Sequence, residues 1–308
     1  MLRDEGTGGR ISFPQIWRVQ GRISVSLCRL VIVLFVACPL LAQAPAPARR
    51  IVSLVPAVTE MLFAMGAGPD VVGVSSYDNY PPEVKSRPQL GALLDPDFER
   101  LLTLKPDLVI VYGTQSSLIT RLDRVHVPYF SYEHAGLADI PVTMRRLGER
   151  IGRREAGNAA AAKIDADLEK VRRRIGGRPR PRTVLLFGRE PGALRGMYAS
   201  AGVGFLHDLL VTAGGDDVFA GEPRQSLQVS TEVLLARAPD VIIELRPSEG
   251  WTQARLDSER AVWRALPSLP AVRTNRIYIL ADDQLLVPGP RVGVVASRLA
   301  DVLHPETK

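Results

Sequence analysis

The chain has 308 residues, 46% hydrophobic and 23% charged, which is enough apolar side chain for a globular core. Its formal net charge is +6, but the first 44 residues hold five Arg against two acidic residues. The remainder carries 34 basic against 31 acidic residues, a net of +3. No basic block interleaved with aromatics stands out, and the triplet Arg172, Arg173 and Arg174 reads as a solvated helix end, so no nucleic-acid partner is expected.

The N-terminus has the layout of a secretory signal, assigned to residues 1–44. Arg22 and Arg29 precede an apolar run at 30–37, extended by Leu40 and Leu41 and followed by the small-residue segment Ala42, Gln43, Ala44. The run is short for a membrane span, and no later segment reaches about 18 consecutive apolar residues. The 21 residues ahead of it are long for the basic region of a signal, which points to a second start further in. A cut after Ala44 would leave Pro45 next, so the cleavage site stays open. Cys38 offers a weak lipoprotein-type attachment site; the plain alternative is one more small apolar residue of the signal. Both cysteines, Cys28 and Cys38, lie in this segment, so the exported part is expected to hold no disulfide and to rely on packing.

From there strands and helices alternate. RIVSLV at 50–55 reads as a buried parallel strand, Pro56 opens a helix ending at Gly66 and Gly68, and a second strand covers 71–75. YDNYPP at 77–82 demands irregular backbone. Asp95 and Pro96 begin a helix through Leu104, a strand follows at 108–112, a helix near 116–125 and a strand at 128–132. The stretch 140–175 is rich in strong helix formers, and Gly152 and Gly157 divide it into two helices. The second, 154–175, repeats apolar residues at helical spacing and would be roughly 30 Å long before Gly176, Gly177 and Pro179 stop it. The scheme then recurs: strands at 183–187, 241–245 and 276–280, helices at 203–213, 230–238, 260–266 and 292–303. The expected architecture is α/β, two Rossmann-like lobes with parallel sheets joined by a single long helix. The lobes are 49–138 and 180–305, and the link is 139–177.

One segment occurs twice. Glu99 to Pro106 and Glu232 to Pro239 share their spacing, a Leu-Leu pair at the same offset, and a following Asp and strand, which supports two lobes of one design. In open α/β sheets ligands bind beyond the carboxyl ends of strands. The loops there are 55–57, 77–80, 112–114, 188–198 and 282–284, so Pro56, Tyr77, Tyr112, Arg189, Arg195, Tyr198 and Asp282 are candidate ligand contacts, each weighed against an ordinary surface role. Glu60, Glu99 and Glu232 sit in or near first helical turns, where the helix dipole alone favours a carboxylate.

Catalytic signatures are absent. Gly66 and Gly68 follow a helix rather than precede it, no Gly-Lys-Ser/Thr phosphate loop occurs, and no Gly-x-Ser-x-Gly follows a strand. The four His show no i, i+4 pair, and His126 and His207 read as surface or packing residues. No catalytic residue, resident metal or intrinsic cofactor is expected.

RIVSLVPAVTE at 50–60, GVSSYDNYPPEVK at 73–85, FERLLTLKPDLVI at 98–110, STEVLLARAPDVII at 230–243 and GPR at 289–291 closely resemble the periplasmic cobalamin-binding proteins of ABC importers. These belong to the helical-backbone group of solute-binding proteins, with iron-siderophore and heme carriers as relatives. The resemblance covers nearly all of the exported part. It implies a monomeric two-lobed clamp with little hinge motion, docking onto the importer's membrane subunits through Glu99 and Glu232, which match the family's docking glutamates. Tyr77 and Tyr112 match ligand-contacting aromatics, and Asp282 matches a family acidic residue. Leu93 stands where a cobalamin-binding member carries Trp. The expected function is capture of a corrinoid, cobalamin or a precursor, with an iron-siderophore or heme carrier as the same-fold alternative. An enzyme on a two-lobed α/β scaffold is the alternative from another class.

Overall fold

The structure, a computed structural model, describes residues 47–305. The segment read as a signal, with both cysteines and its cut site, lies outside the described residues.

Short β-branched runs make the strands of the first sheet: β1 (Ile51–Ser53), β2 (Val71–Val74), β3 (Leu108–Tyr112) and β4 (Tyr129–Tyr132), all parallel in the order β2-β1-β3-β4. Their connections carry α1 (Pro56–Ala64), with Pro56 in the first turn where its missing N–H costs nothing, then α2 (Phe98–Thr103) and α3 (Ser116–Arg124). α2 starts later than expected. Pro96 is drawn into a short antiparallel bridge with Gly91, and Asp97 becomes the cap, its carboxylate accepting from the Arg100 N–H at 2.9 Å.

α4 (Asp139–Arg150) and α5 (Arg154–Ile175) follow, the latter with the expected bounds. They pack closely because Gly148 faces Gly157; a Cβ on either would sit about 3 Å from the other's Cα.

The second sheet departs from expectation. β5 (Arg182–Gly188), β9 (Val241–Arg246) and β10 (Ile277–Ala281) run parallel, but β6 (Met197–Ser200) and β8 (Ser226–Val229) add an antiparallel flank, and β7 (Asp216–Asp217) pairs with β5. The sheet is therefore mixed. The added strands are short, and β8 sits at the sheet edge with mostly solvent-facing side chains, so neither leaves the long apolar run by which a buried parallel strand is read. The helices here are α6 (Phe205–Thr212), α7 (Thr231–Arg237), α8 (Gln253–Ala261), α9 (Pro270–Arg273) and α10 (Val292–Leu303). α8 begins seven residues before the expected helix because Thr252 caps it, accepting from the Arg255 N–H at 3.2 Å.

Alternate strand residues face opposite sides, and each sheet's outer face has its own apolar cluster. Val52, Val109 and Leu122 mark one, and Val184, Ile242 and Trp263 the other. The inner faces share a single cluster: Ile51 and Ile110 of the first sheet join Leu185 and Ile243 of the second through Ile164, Leu168 and Val171 of α5. The long helix therefore joins the lobes into one core rather than spacing them apart. A second tie is ionic. Arg291, at the N-terminus of α10, donates to both carboxylate oxygens of Glu60 on α1, at 2.9 and 2.5 Å, and its guanidinium lies 3.9 Å from the Tyr80 ring centroid.

Candidate functional site

β3 and β4 both end in tyrosine, and their parallel register sets Tyr112 beside Tyr132. The two rings meet edge to face at 5.9 Å. Two residues further, His134 stacks on Tyr132 at 6.2 Å and meets Phe205, the first residue of α6, at 5.5 Å. A continuous aromatic wall thus runs from the first sheet's carboxyl edge across to the second lobe. Together with Phe187 of β5, Leu286 and Pro288 it lines a cavity of about 380 Å³, within the usual range for small-molecule pockets. A roomier groove of about 680 Å³ lies beside α5, floored by Phe63, Ala156 and Ile164 and bordered by the Glu60–Arg291 pair. Its lining holds two aromatic rings, Phe63 and Tyr80, against the five of the cleft.

Burial pushes the Tyr112 hydroxyl pKa up, and the neighbouring Asp78 adds to it. Burial pushes the His134 pKa down against the pull of Asp139 and Asp208, so its imidazole is neutral at physiological pH. The Tyr132 hydroxyl lies 3.3 Å from His134 Nδ1. Among the described residues no cluster of three or more His, Cys, Asp or Glu side chains could hold a metal ion.

Asp78 is buried close enough to Tyr112 for its charge to act on that hydroxyl. Its Oδ2 accepts from the Ser75 N–H at 2.8 Å, while its Oδ1 is buried without a partner. Burial raises its pKa to about 7, with Glu60 adding and the Thr59 hydroxyl and Ser75 N–H opposing. The folded protein therefore holds a proton that the unfolded chain releases near 4, so this contribution to stability is full below about pH 4 and is lost as pH rises through about 7. At roughly 1.4 kcal/mol for each pH unit of that window, the effect is on the order of 4 kcal/mol. Asp78→Asn is expected to flatten the melting temperature against pH between 4 and 8 relative to the parent. Parallel profiles for the two proteins would refute this.

The other sequence candidates divide. Tyr77 follows β2 and is 66% exposed at the same sheet edge, outside the aromatic cavity. Leu93 is not in the cavity lining; its carbonyl accepts from Gln115 Nε2 at 2.7 Å, and the Oε1 of that same side chain accepts from the Tyr112 N–H at 2.9 Å. Pro56 is half-buried at the start of α1. In the second lobe, Tyr198 of β6 leans on Phe187 at 6.4 Å, and Arg195 extends into solvent beside Glu190. Asp282 turns back on its own loop, accepting from Gln284 Nε2 and from Arg298 Nη1 at 2.7 Å.

Arg189 is corrected by the structure. Its side chain has no exposed surface: Nε donates to Glu244 at 3.0 and 3.1 Å, Nη1 to Glu259 at 2.7 Å, and both terminal nitrogens reach backbone carbonyls. A guanidinium with all three nitrogens bonded inside the lobe presents no exposed surface to a ligand. Conversely, Tyr132, His134, Phe187 and Phe205 of the aromatic cavity are not among the sequence candidates. Tyr132 ends a strand and His134 stands two residues beyond it, so position along the chain was the available signal for both; Phe205 lies within the stretch read as a helix at 203–213.

Glu99 and Glu232 stay apart from the cleft lining. Both lie in the first turn of a helix that feeds a strand, α2 into β3 and α7 into β9, so both stand at the carboxyl edges of their sheets. Glu99 is 86% exposed, with Arg121 at 3.5 Å. Glu232 is held below the usual carboxylate range by the Ser230 hydroxyl, its own N–H and the Thr231 hydroxyl.

Residues 51–284 match the periplasmic binding protein family. The chain belongs to that family. A vitamin B12-binding protein of Pectobacterium carotovorum subsp. carotovorum (strain PC1) is 26% identical over 259 residues, covering 83% of this chain and 88% of the relative. The solved periplasmic vitamin B12 binding protein of Vibrio cholerae superposes with a TM-score of 0.71 at 26% identity, covering 84% of this chain and 98% of that one. The periplasmic heme-binding protein of Roseiflexus sp. RS-1 in apo form gives a TM-score of 0.69 at 27% identity, covering 83% and 98%. No helix among the described residues is long and apolar enough to cross a membrane.

Proposed function

We propose that this protein captures a corrinoid, cobalamin or a precursor, between its lobes outside the cytoplasm and delivers it to the membrane subunits of an ABC importer. The observation that carries the reading is the wall of Tyr112, Tyr132, His134 and Phe205, which spans both lobes at the strand ends. Flat conjugated rings bury large area against such side chains at little rotamer cost. The kinship with vitamin B12-binding proteins supports the same ligand. The protein performs no chemistry in this reading and acts as a monomer, while Glu99 and Glu232 serve docking.

A second reading, heme or another iron chelate, is favoured by His134. A neutral imidazole is a good ligand for iron, and a heme-binding protein is as similar in sequence as the B12-binding ones. Calorimetric and absorbance titration of the exported chain with cyanocobalamin, hemin and a ferric siderophore, each separately, decides between them. Tight binding of cyanocobalamin alone is expected; binding of hemin alone would replace the reading.

Tyr112→Ala is expected to weaken corrinoid binding by roughly 1–3 kcal/mol, the range for losing a well-packed aromatic contact, with the melting temperature little changed. Tyr77→Ala, at a more exposed site, is expected to cost less. A fall in melting temperature with unchanged affinity would make Tyr112 a strand-end cap only.

A further inference from the structure

Leu94 is 94% exposed, more than any other large apolar side chain among the described residues. A lone exposed leucine needs no explanation, but this one is carried by a loop that is tightly held. Gly91 and Pro96 close it by an antiparallel bridge, the Ser76 N–H donates to the Gly91 carbonyl at 2.9 Å, the Asp97 N–H to the Leu90 carbonyl at 2.8 Å, and Gln115 Nε2 to the Leu93 carbonyl at 2.7 Å. Gly91 adopts a φ of +85°, and a Cβ there would stand 2.4 Å from the Asp95 carbonyl oxygen, so the loop closes this tightly only with glycine. An apolar tip on so fixed a loop loses little conformational freedom when a partner covers it.

Charge says what kind of partner. Exposed Asp95 is the next residue and exposed Glu99 lies five residues on. The second lobe shows the same composition on a helix: Val233, 39% exposed, stands next to Glu232. An apolar side chain beside carboxylates complements an apolar recess rimmed by Arg or Lys, the arrangement of a protein–protein hot spot with its polar surround.

We propose that Leu94 is the apolar anchor of importer docking, seated in a nonpolar recess of a membrane subunit whose basic rim receives Glu99. This rests on the docking role of Glu99 and Glu232, and the test separates the two. The chain loaded with cyanocobalamin is titrated onto the cognate importer's membrane subunits in lipid nanodiscs, as parent, Leu94→Ser, Leu94→Met and Glu99→Ala/Glu232→Ala, at low and high salt. Leu94→Ser is expected to weaken association at least tenfold at both salt concentrations, because burial of an apolar group is not screened, while the glutamate variant loses its difference from the parent at high salt. Leu94→Met, which keeps an apolar tip, is expected to stay within threefold, and cyanocobalamin affinity within threefold of the parent in all three variants. Parental association of Leu94→Ser overturns the proposal even if the glutamate variant fails to dock. Parental association of the glutamate variant overturns the docking reading itself. A tenfold loss of ligand affinity in Leu94→Ser with docking intact would assign the tip to the cleft rim and also overturn the proposal.

Discussion

The double variant Glu99→Ala/Glu232→Ala is expected to bind its ligand within about threefold of the parent, short of the tenfold that 1.4 kcal/mol represents, and to deliver none of it. Both carboxylates stand in solvent at the carboxyl edge of their sheets, apart from the Tyr112–Phe205 wall, so removing them leaves the cleft untouched. They occupy equivalent positions in a duplicated segment, so one partner meeting both must offer two basic sites at matching separation. Neither is needed for the fold: Glu99 has only a 3.5 Å contact with exposed Arg121, and the caps of α2 and α7 are Asp97 and Ser230. Exposed ion pairs within one chain contribute little, whereas charges facing a partner set encounter and register. Each single variant is expected to transport in part. Uptake by cells carrying the importer, alongside calorimetry on the purified variant, makes the comparison. Full transport by the double variant would remove docking from these residues.

The second large effect is on stability. Arg189→Ala is expected to cost about 3–5 kcal/mol, as breaking a buried ion pair from one side does. Burial works against Glu259, but the Gly192 N–H and Arg189 more than offset it and hold its carboxyl below the ordinary range. Glu244 sits on the other side of the same guanidinium and also accepts from Trp263 Nε1 at 2.6 Å and Arg246 Nη2 at 2.7 Å. Without Arg189, two carboxylates face one remaining guanidinium in a nearly dry site, and the backbone carbonyls of Ala193 and Glu259 lose the Arg189 donor. For a domain of this size a melting temperature lower by roughly 10 °C should follow. Ligand affinity of the folded fraction is expected to hold. Parental melting with lost binding would return Arg189 to the list of ligand contacts.

Much of the architecture is written locally. The apolar runs that became β1, β3 and β9, the spacing of Ile164, Leu168, Val171 and Ile175 along α5, and the Gly-Gly-x-Pro stop after it are periodicities of a few residues, readable without a partner. The duplicated Glu-to-Pro segment likewise placed Glu99 and Glu232 at matching helix starts. Tyr112's place at the sheet's carboxyl edge was legible for the same reason: a parallel strand's last residue reaches that edge whatever the rest of the sheet does. What local pattern leaves open is who faces whom. Arg189 stands in a loop at a strand end, as a ligand residue would, and only the return of Glu244 and Glu259, 55 and 70 residues on, turns it inward. Glu60 finds Arg291 across 231 residues, the inner faces of two sheets merge around α5, and His134 meets Phe205 only because α6 begins where the first lobe ends. Those pairings follow from which surfaces the whole chain can bury together. The helices, the parallel strands and the duplicated glutamates thus belong to the sequence itself, while the closed ionic network and the aromatic wall of the cleft exist only once both lobes have packed.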